Sequence, residues 1–379
     1  MKTRKIISIL AASAMASTVF ANGLSSEKKN EIKDGLNSFS NVLIFSIPEA
    51  STQQNVWSEA YIGNLYPSIF PHFGFGFSIG GTYLDTSGLK KAAGALFGDK
   101  DILQQAIGTT GNQHVDSIAS NINLELPDSF ILPTASIDAR IGGVLLPFDI
   151  GICAMMTNPS LFSVDIKDPN SVLNISKAMQ FDLMGFKGSI DYLTLGADLR
   201  YRFFEGSTFV PIISLGGGYY FTKGSFKFGA SDETAIDGVG KQITDSEMAL
   251  AFETHVAFAQ VQISKEFGIV NLFLGARGTI SNTTINWAWK YETKNDTNPA
   301  MNSSDDGHGC VTANNKDESF HDGVWDMTKI QPQIFGGIGF NIWKFQLTLG
   351  ACVDMRSMFD KPNYEKFIWS GYFSTHFKF

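Results

Sequence analysis

Apolar and polar residues alternate with a period of two through much of this chain. Between residues 193 and 204 every second residue is apolar, whereas the residues between them include Asp198, Arg200 and Arg202. Successive side chains of a β-strand point to opposite faces, so the pattern predicts a strand with one apolar face and one charged face. Such a strand is compatible with a soluble β-sandwich and with a membrane barrel.

The same alternation predicts strands over residues 73–84, 134–145, 148–156, 193–204, 211–222, 249–265, 270–291, 330–342, 345–355 and 367–379. Their apolar faces run for about ten residues, which is the length of a tilted membrane strand rather than of a globular one. In the segment 249–265 the apolar residues change face partway, which predicts a β-bulge near Gln260.

The lengths of the connections between these strands favour a membrane barrel. Short connections near Pro147 and at 205–208, 266–268 and 341–343 alternate with long ones at 157–187, 225–248 and 292–327. Outer-membrane barrels combine short periplasmic turns with long external loops. The prediction is an all-β, antiparallel, up-and-down transmembrane barrel over residues 73–379, with about 10 strands (range 10 to 14). A hairpin between residues 113 and 132 would raise the number to twelve, and the acidic segment 292–327 is expected outside the cell.

The N-terminal region precedes the barrel and has two parts. Lys2, Arg4 and Lys5 are followed by an apolar run that ends at Ala21, which predicts a Sec signal peptide over residues 1–21, with an uncleaved anchor as the alternative. Residues 22–72 include a helix, and its apolar face is formed by Ile32, Leu36, Phe39 and Leu43. This helix either plugs the barrel lumen or forms a periplasmic lid or a cover on the barrel mouth. A second helix is predicted within residues 86–107.

Charged residues fall on the polar faces of the predicted strands. They are Asp138, Arg140, Asp198, Arg200, Arg202, Arg277, Lys344, Asp354, Arg356, His376 and Lys378. Charges inside a membrane protein normally pair with one another or line water, so these side chains are expected to line the lumen. They form either a sealed ion-pair network or a path in which the excess of cations favours anions.

Composition narrows the classes of function. Of the 379 residues 17% are charged, the formal net charge is −8, and there are 32 Phe. So aromatic a chain is not disordered, and without a basic block it is not expected to bind nucleic acid. Three widely spaced cysteines do not form a disulfide framework.

Two motifs that resemble enzyme or metal sites lack the expected context. Residues 76–80 match the Gly-x-Ser-x-Gly nucleophile elbow around Ser78, but they lie in an alternating strand and not at a strand-to-helix turn. His308, Cys310 and His321 share an acidic loop, yet their spacing matches no zinc site. The expectation is therefore no enzyme, no cofactor and no metal, with an integral outer-membrane hydrolase as the disfavoured alternative.

The C-terminal strand resembles that of bacterial outer-membrane β-barrel proteins. Gly371, Phe373, Phe377 and the terminal Phe379 stand at alternate positions. This resemblance implies insertion into outer-membrane lipid by the barrel-assembly machinery, which reads the strand ending at Phe379.

Two further segments narrow the resemblance. Pro-His-Phe-Gly at 71–74 and the stretch 140–151 are similar to segments of uncharacterised spirochaete surface barrels, some of which have been compared with long-chain fatty-acid transporters. The Asn-Pro-Ala hatch motif of those transporters occurs here only at 298–300, in a late polar loop, so fatty-acid transport is an analogy.

The leading functional expectation is passive or facilitated passage of small or hydrophobic solutes across the outer membrane, with a hydrophobic or anionic small solute as partner. The alternative is a surface-exposed adhesin or ligand-binding barrel that acts through its long extracellular loops.

Overall fold

The computed structural model of the protein describes residues 24–53, 56–62, 72–97, 128–143, 147–166, 168–175, 180–183, 186–207, 209–236, 240–297, 299, 302–312, 330–356 and 368–379. The strands are β1 (His72–Asp85), β2 (Ser129–Gly142), β3 (Phe148–Met156), β4 (Gln180–Leu183), β5 (Phe186–Phe204), β6 (Ile212–Ile236), β7 (Gly240–Phe267), β8 (Val270–Asn295), β9 (Ser303–Thr312), β10 (Gln331–Ile342), β11 (Phe345–Asp354) and β12 (Trp369–Lys378). The helices are α1 (Ser26–Thr52), α2 (Ser87–Phe97) and α3 (Pro169–Asn174), with a 3-10 turn at Pro159–Phe162.

Ten of these strands form a closed antiparallel ring. The order is β10, β11, β12, β1, β2, β3, β5, β6, β7 and β8, and β8 then pairs with β10. The first and last strands meet at Gly74 and Lys378, and the second closing contact pairs Leu272 with Ile338. Each segment predicted from alternation overlaps one ring strand and extends beyond its bounds by at most three residues, so the predicted barrel and its ten ring strands are confirmed.

The outer face of the ring is apolar. In β1 the alternate residues Phe73, Phe75, Phe77 and Ile79 are 44% to 53% exposed. Continuous exposure of large apolar side chains is unfavourable in water, whereas it is what a lipid-facing barrel wall requires. No helix in the described ranges is long and apolar enough to cross a bilayer.

The two ends of the ring differ. The end that carries the β2–β3, β5–β6, β7–β8 and β10–β11 connections, together with the start of β1 and the end of β12, is called the turn end, and the opposite end is called the loop end. Gly268 and Trp343 adopt the left-handed conformation in the two-residue turns after β7 and β10. Exposed aromatic side chains gather at the turn end, as a membrane-interface girdle does. They are Phe203, Phe204, Phe209, Phe267, Trp343, Phe345 and Phe379.

The structure corrects the predicted loops at the loop end. Residues 225–248 are not a loop, because β6 and β7 remain paired up to Ile236 and Gly240. The segment 292–327 contains β9, which pairs with residues 284–293 of β8, near the loop end. Strands β5 to β9 therefore extend beyond the ring as a curved sheet. The sequence of this extension is more polar than that of the ring strands because it does not contact lipid. One of its faces is covered by helix α1, so it was predicted as loop.

The predicted bulge near Gln260 is wrong. Strand β7 pairs with β6 and β8 without a register shift, and the irregularity lies in β5 between Arg202 and Phe204. Even-numbered residues of β7 face inward along its length, and Phe252, Val256 and Phe258 are buried there. The apolar residues of β7 change face because the surroundings of the strand change along its length. Near the loop end the inner face packs against protein, and nearer the turn end the outer face contacts lipid.

Helix α1 confirms the predicted N-terminal helix and fills the concave side of the extended sheet. It begins after Ser25, whose hydroxyl accepts a hydrogen bond from the Lys28 amide. Its buried face packs against α2 and against Phe226 and Trp287 of the sheet. The crossing with α2 is close: a Cβ atom at Gly35 would lie 2.7 Å from the Gly88 carbonyl oxygen. The helix predicted over 86–107 corresponds to α2 for its first part.

Residues 157–175 cover the opposite, convex face of the extended sheet. Leu161, Ile166 and Val172 pack with Leu193 and Ala249. The amide of Asn286 and the ammonium of Lys223 donate to backbone carbonyls of this segment. The loop end is thus a folded body with protein layers on both faces of a sheet.

Several sequence predictions lie outside the described residues. They are the signal peptide 1–21, residues 98–107 of the second predicted helix, residues 113–127 of the possible extra hairpin, His321, and two residues of the Asn-Pro-Ala motif, Asn298 and Ala300.

Candidate functional site

Residues 56–62, called the lumen segment, lie inside the ring. Trp57 Nε1 donates to Asp138 Oδ1 of β2 at 2.7 Å, and the amide of Ala60 donates to Ser264 Oγ of β7 at 2.9 Å. Ser58 Oγ accepts from Asn271 of β8 at 3.1 Å. Since these wall residues come from different sides of the barrel, the lumen segment runs through its interior.

Trp57 is fully buried against one side of the lumen wall. Its ring stacks on His376 with centroids 4.0 Å apart, and the two residues share the carboxylate of Asp138, which lies 3.3 Å from His376 Nε2. Gly74 provides the space, because a Cβ atom there would lie 2.2 Å from the Trp57 ring. A glycine in a strand costs stability, so its presence at this inward position is explained by the close approach of the indole.

Glu59 joins the lumen segment to strands β11 and β12. Its carboxylate accepts hydrogen bonds from Lys378 Nζ and Gln346 Nε2. Its backbone carbonyl accepts from an Arg200 guanidinium nitrogen at 3.2 Å. Asn341 Oδ1 also accepts from Gln346 and Lys378, at 2.8 Å and 3.0 Å, so all these groups form one network near the turn end.

A second charged network belongs to the barrel wall. Arg140 donates to both oxygens of Asp198 at 2.8 Å and to Asp149, and all three side chains are buried. Arg200 Nε lies 3.5 Å from Asp198 Oδ1. The lumen segment contacts this network through the amide of Ile62, which donates to Asp149 at 3.2 Å. Paired charges of this kind satisfy each other where water is scarce.

The C-terminal end of α1 is held at the loop end of the ring. Arg277 donates to the carbonyl of Thr52 at 2.7 Å, where a cation complements the negative end of the helix dipole. Glu49 accepts from Ser370 Oγ at 2.7 Å. Burial raises the pKa of Glu49 to about 8, so this carboxyl is largely protonated near neutral pH. Arg356 pairs with Asp354 and lies 4.3 Å from the centre of the Phe45 ring.

The structure brings most of the sequence-predicted lumen residues to the inner wall. Asp138, Arg140, Asp198, Arg200, Arg277, Asp354, Arg356, His376 and Lys378 are buried. Arg202 lies at the turn end, 5.0 Å from the Tyr61 ring and paired with Glu205 at 3.2 Å. Lys344 differs from expectation, because it lies at the β10–β11 turn beside Trp343 and Phe379, which face outward.

Of the placements that the sequence leaves open for the N-terminal helix, the structure places the apolar face of α1 at the mouth of the barrel and not inside the lumen. Ile32, Leu36, Phe39 and Leu43 pack in the apolar core of the loop end, and the last turn of α1 reaches the ring at Arg277 and Ser370. The lumen segment continues these contacts deeper along the inner wall. Its key residues, Trp57 and Glu59, lie in a stretch without periodicity and were missed. Asp149 was missed as well, although it alternates with Gly151 and Cys153 on the polar face of β3.

The structure also shows where the two motifs that resemble enzyme or metal sites lie. Ser78 lies in the middle of β1, paired with Ser136 and Ser374, so the strand-to-helix turn of a nucleophile elbow is not formed there. His308 and Cys310 lie in β9 opposite Ala288 and Asn286.

The closed ring, its apolar outer belt and its polar, charged interior define a transmembrane β-barrel of the outer-membrane type. No protein-family model and no curated protein sequence matches this chain. Its fold is weakly similar to a FadL homologue of Pseudomonas aeruginosa, with 8% identity, coverage of 85% of this chain and 97% of the other, and a TM-score of 0.23. It is also weakly similar to the toluene transporter TodX of Pseudomonas putida, with 5% identity, coverage of 82% and 89%, and a TM-score of 0.23. LpxR of Salmonella typhimurium matches at 10% identity, coverage of 79% and 99%, and a TM-score of 0.21.

Proposed function

We propose that this protein is an outer-membrane channel that its own lumen segment closes, and that small solutes pass when the segment leaves the lumen. The observation that carries the proposal is how the interior is filled. A small barrel can be filled by its own wall side chains. Here the wall carries a residue without a side chain where the lumen segment lies, because a Cβ atom at Gly339 would lie 2.3 Å from Ser58 Oγ. The space is filled by a separate stretch of chain, and the proposal is that this stretch leaves the lumen.

The bonds that hold the lumen segment also favour a removable plug. Trp57, Ser58, Glu59, Ala60 and Ile62 all bind the wall through hydrogen bonds or ion pairs. A hydrogen bond between neutral groups contributes only about 1 kcal/mol net, because water satisfies the same groups when the bond is broken. A bond to a charged group, such as the one between Lys378 and Glu59, contributes about 1.5–3 kcal/mol. These polar contacts are compatible with opening into a water-filled passage, whereas the burial of Val56, Trp57, Tyr61 and Ile62 keeps the lumen segment in place until a solute displaces it.

The charges uncovered by opening favour small anions and polar solutes over apolar ones. Arg277 and Lys378 bind Thr52 and Glu59 of the N-terminal region, and Arg200 binds the Glu59 carbonyl. Departure of the lumen segment removes the Glu59 contacts of Lys378 and Arg200, and displacement of the end of α1 also removes the contact between Arg277 and Thr52. The carboxylates of Asp138 and Asp149, which Trp57 and Ile62 bind, are uncovered as well, so these three cations are exposed together with two anions. Pore-lining charge of one sign selects permeating ions of the other.

A second function, binding at the cell surface, is favoured by the loop-end body. Strands of 25, 28 and 26 residues extend there well beyond the ring. A transmembrane strand needs only about ten residues, so the loop-end body is not required to cross the membrane and has another role. In this alternative the barrel is an anchor and the lumen segment is permanent filling.

Conductance separates the two proposals. The mature protein and a variant lacking residues 24–62 are reconstituted into planar bilayers, after the folded state of each is checked by heat-modifiable mobility in gels. The channel proposal expects higher conductance for the truncated barrel and a preference for anions, which Arg277→Gln reduces. If the truncated barrel folds but conducts no better than the full chain, the channel is rejected in favour of surface binding.

A further inference from the structure

Glu59 occupies a site that is built for a carboxylate. Its two carboxylate oxygens are bound separately, Oε1 by the Lys378 ammonium and Oε2 by the Gln346 amide. The Lys378 and Glu59 side chains are only 5% and 13% exposed. One charged donor and one neutral donor on a single carboxylate form a charge-assisted pair of hydrogen bonds, which is a specific arrangement for this group.

The donors of this site belong to the wall and do not depend on the lumen segment for their position. Gln346 and His376 are directly paired in the β11–β12 ladder, and the Lys378 amide donates to the Lys344 carbonyl at 2.8 Å. Asn341 orients both donors through its side-chain oxygen, and its own amide nitrogen donates to Glu266 at 3.1 Å. The site therefore persists when Glu59 leaves it.

Removal of Glu59 leaves a buried cation to be compensated. Of the charged groups in the described residues, the Glu59 carboxylate is the one in ion-pair contact with Lys378. Arg200, which binds the Glu59 carbonyl, adds positive charge nearby. An uncompensated buried ammonium is costly, so the vacated site attracts an anion.

The site lies close to the turn end of the barrel. Lys378 is the last residue of β12, and Asn341 and Gln346 flank the turn after β10. A solute on that side reaches this site without crossing the loop-end body.

From this geometry we propose that Lys378 and Gln346 form a binding site for small carboxylate solutes that approach from the turn end, and that such a solute displaces Glu59 and releases the lumen segment. The inference rests on the proposed function in requiring that the segment can leave the lumen. It adds the chemical class of the ligand and the side of the membrane from which the ligand acts.

The test uses accessibility of the lumen segment, not conductance. In full-length protein whose native cysteines are replaced (Cys153→Ala, Cys310→Ser, Cys352→Ala), Ser58→Cys introduces a thiol at a position that packs on Gly339 and Asn271. The rate of its modification by a water-soluble maleimide is measured with sodium propionate, which matches the glutamate side chain, with propionamide, and with sodium chloride at equal ionic strength.

The proposal expects propionate to raise the labelling rate about tenfold, a shift of about 1.4 kcal/mol in the opening equilibrium, and propionamide and chloride to leave it unchanged. Lys378→Gln is expected to label fast without any ligand and to lose the response to propionate, and Glu59→Gln is expected to raise the basal rate.

Equal effects of propionate and propionamide, or no effect of propionate on a slowly labelled wild-type background, would overturn the carboxylate site. A propionate-dependent labelling rate in a protein that shows no conductance would keep this site and reject the channel, so the two failures are distinguishable.

Discussion

Replacing Gly74 with valine should displace Trp57 from the lumen wall and leave the ring intact. A side chain at residue 74 points at the indole, since even the first carbon would lie 2.2 Å from it. Valine suits a strand and removes the entropic cost of glycine, so the wall itself should gain about 0.5–1 kcal/mol.

The expected loss is in the free energy that holds the lumen segment against the wall. Displaced Trp57 gives up its burial, its stacking on His376 and its hydrogen bond to Asp138. Removal of a buried Trp side chain costs about 3–5 kcal/mol. At about 1.4 kcal/mol per factor of ten, that loss shifts the equilibrium between the seated and the displaced segment by at least about a hundred-fold.

The assay is the maleimide labelling rate of the thiol that Ser58→Cys introduces in the cysteine-replaced protein, with heat-modifiable mobility as the measure of the folded barrel. Gly278→Val is the matched control, because Gly278 is a strand glycine where a Cβ atom finds only a contact of 3.4 Å, with Ile330. In this background Gly74→Val should label much faster than the protein with Gly74 intact, and Gly278→Val should not.

A double-mutant cycle completes the test, because Gly74→Val and Trp57→Ala act on the same contact. Their effects should be far from additive, and the double variant should label no faster than Trp57→Ala. Labelling of Gly74→Val at the unsubstituted rate, or additive effects in a folded barrel, would refute the placement of Trp57 against β1.

Two further predictions concern the wall and the helix. Leu195→Arg, on the lipid-facing side of β5, should cost about 2–4 kcal/mol in reversible unfolding from lipid, whereas Phe203→Arg, at the turn-end girdle, should cost about 0–1 kcal/mol; equal costs would place the membrane wrongly. Burial raises the pKa of Glu49 from 4.5 to about 8, so the folded protein holds a proton that the unfolded chain releases, and stability should fall as pH rises through this range. Glu49→Gln should flatten this dependence in equilibrium unfolding, and an unchanged slope would show that Glu49 is not its source.

The ring strands are predictable from sequence because lipid demands apolar residues at every second position. Phe73 to Ile79 and Leu193 to Phe203 carry that signal without help from any neighbour. The charged residues of the inner face are found by the same parity, since Arg140 and Arg200 occupy positions opposite the lipid-facing side chains.

The parts that sequence did not predict depend on partners distant along the chain. Strands β6 and β7 continue through residues 225–248 because Phe226 and Leu250 pack in one apolar core with helix α1. Trp57 and Glu59 have no periodic neighbours, and their roles become visible only beside Gly74 and Lys378. An inward-facing strand glycine such as Gly74 is a weak sign of such an insertion, and it is not specific enough to name the inserted residue.

The most direct test of a removable plug in the lumen is a reversible disulfide between the lumen segment and the wall. The backbone amide of Ala60 donates to Ser264 Oγ at 2.9 Å, so the two residues are adjacent, and Ala60→Cys with Ser264→Cys, in the cysteine-replaced protein, is the pair chosen for the cross-link. Conductance of the reconstituted, oxidised protein is recorded in a planar bilayer before and after a reductant is added to the same membrane. A removable plug predicts a closed barrel when the disulfide is intact and a rise in conductance on its reduction. A conductance that reduction of the disulfide leaves unchanged would contradict it.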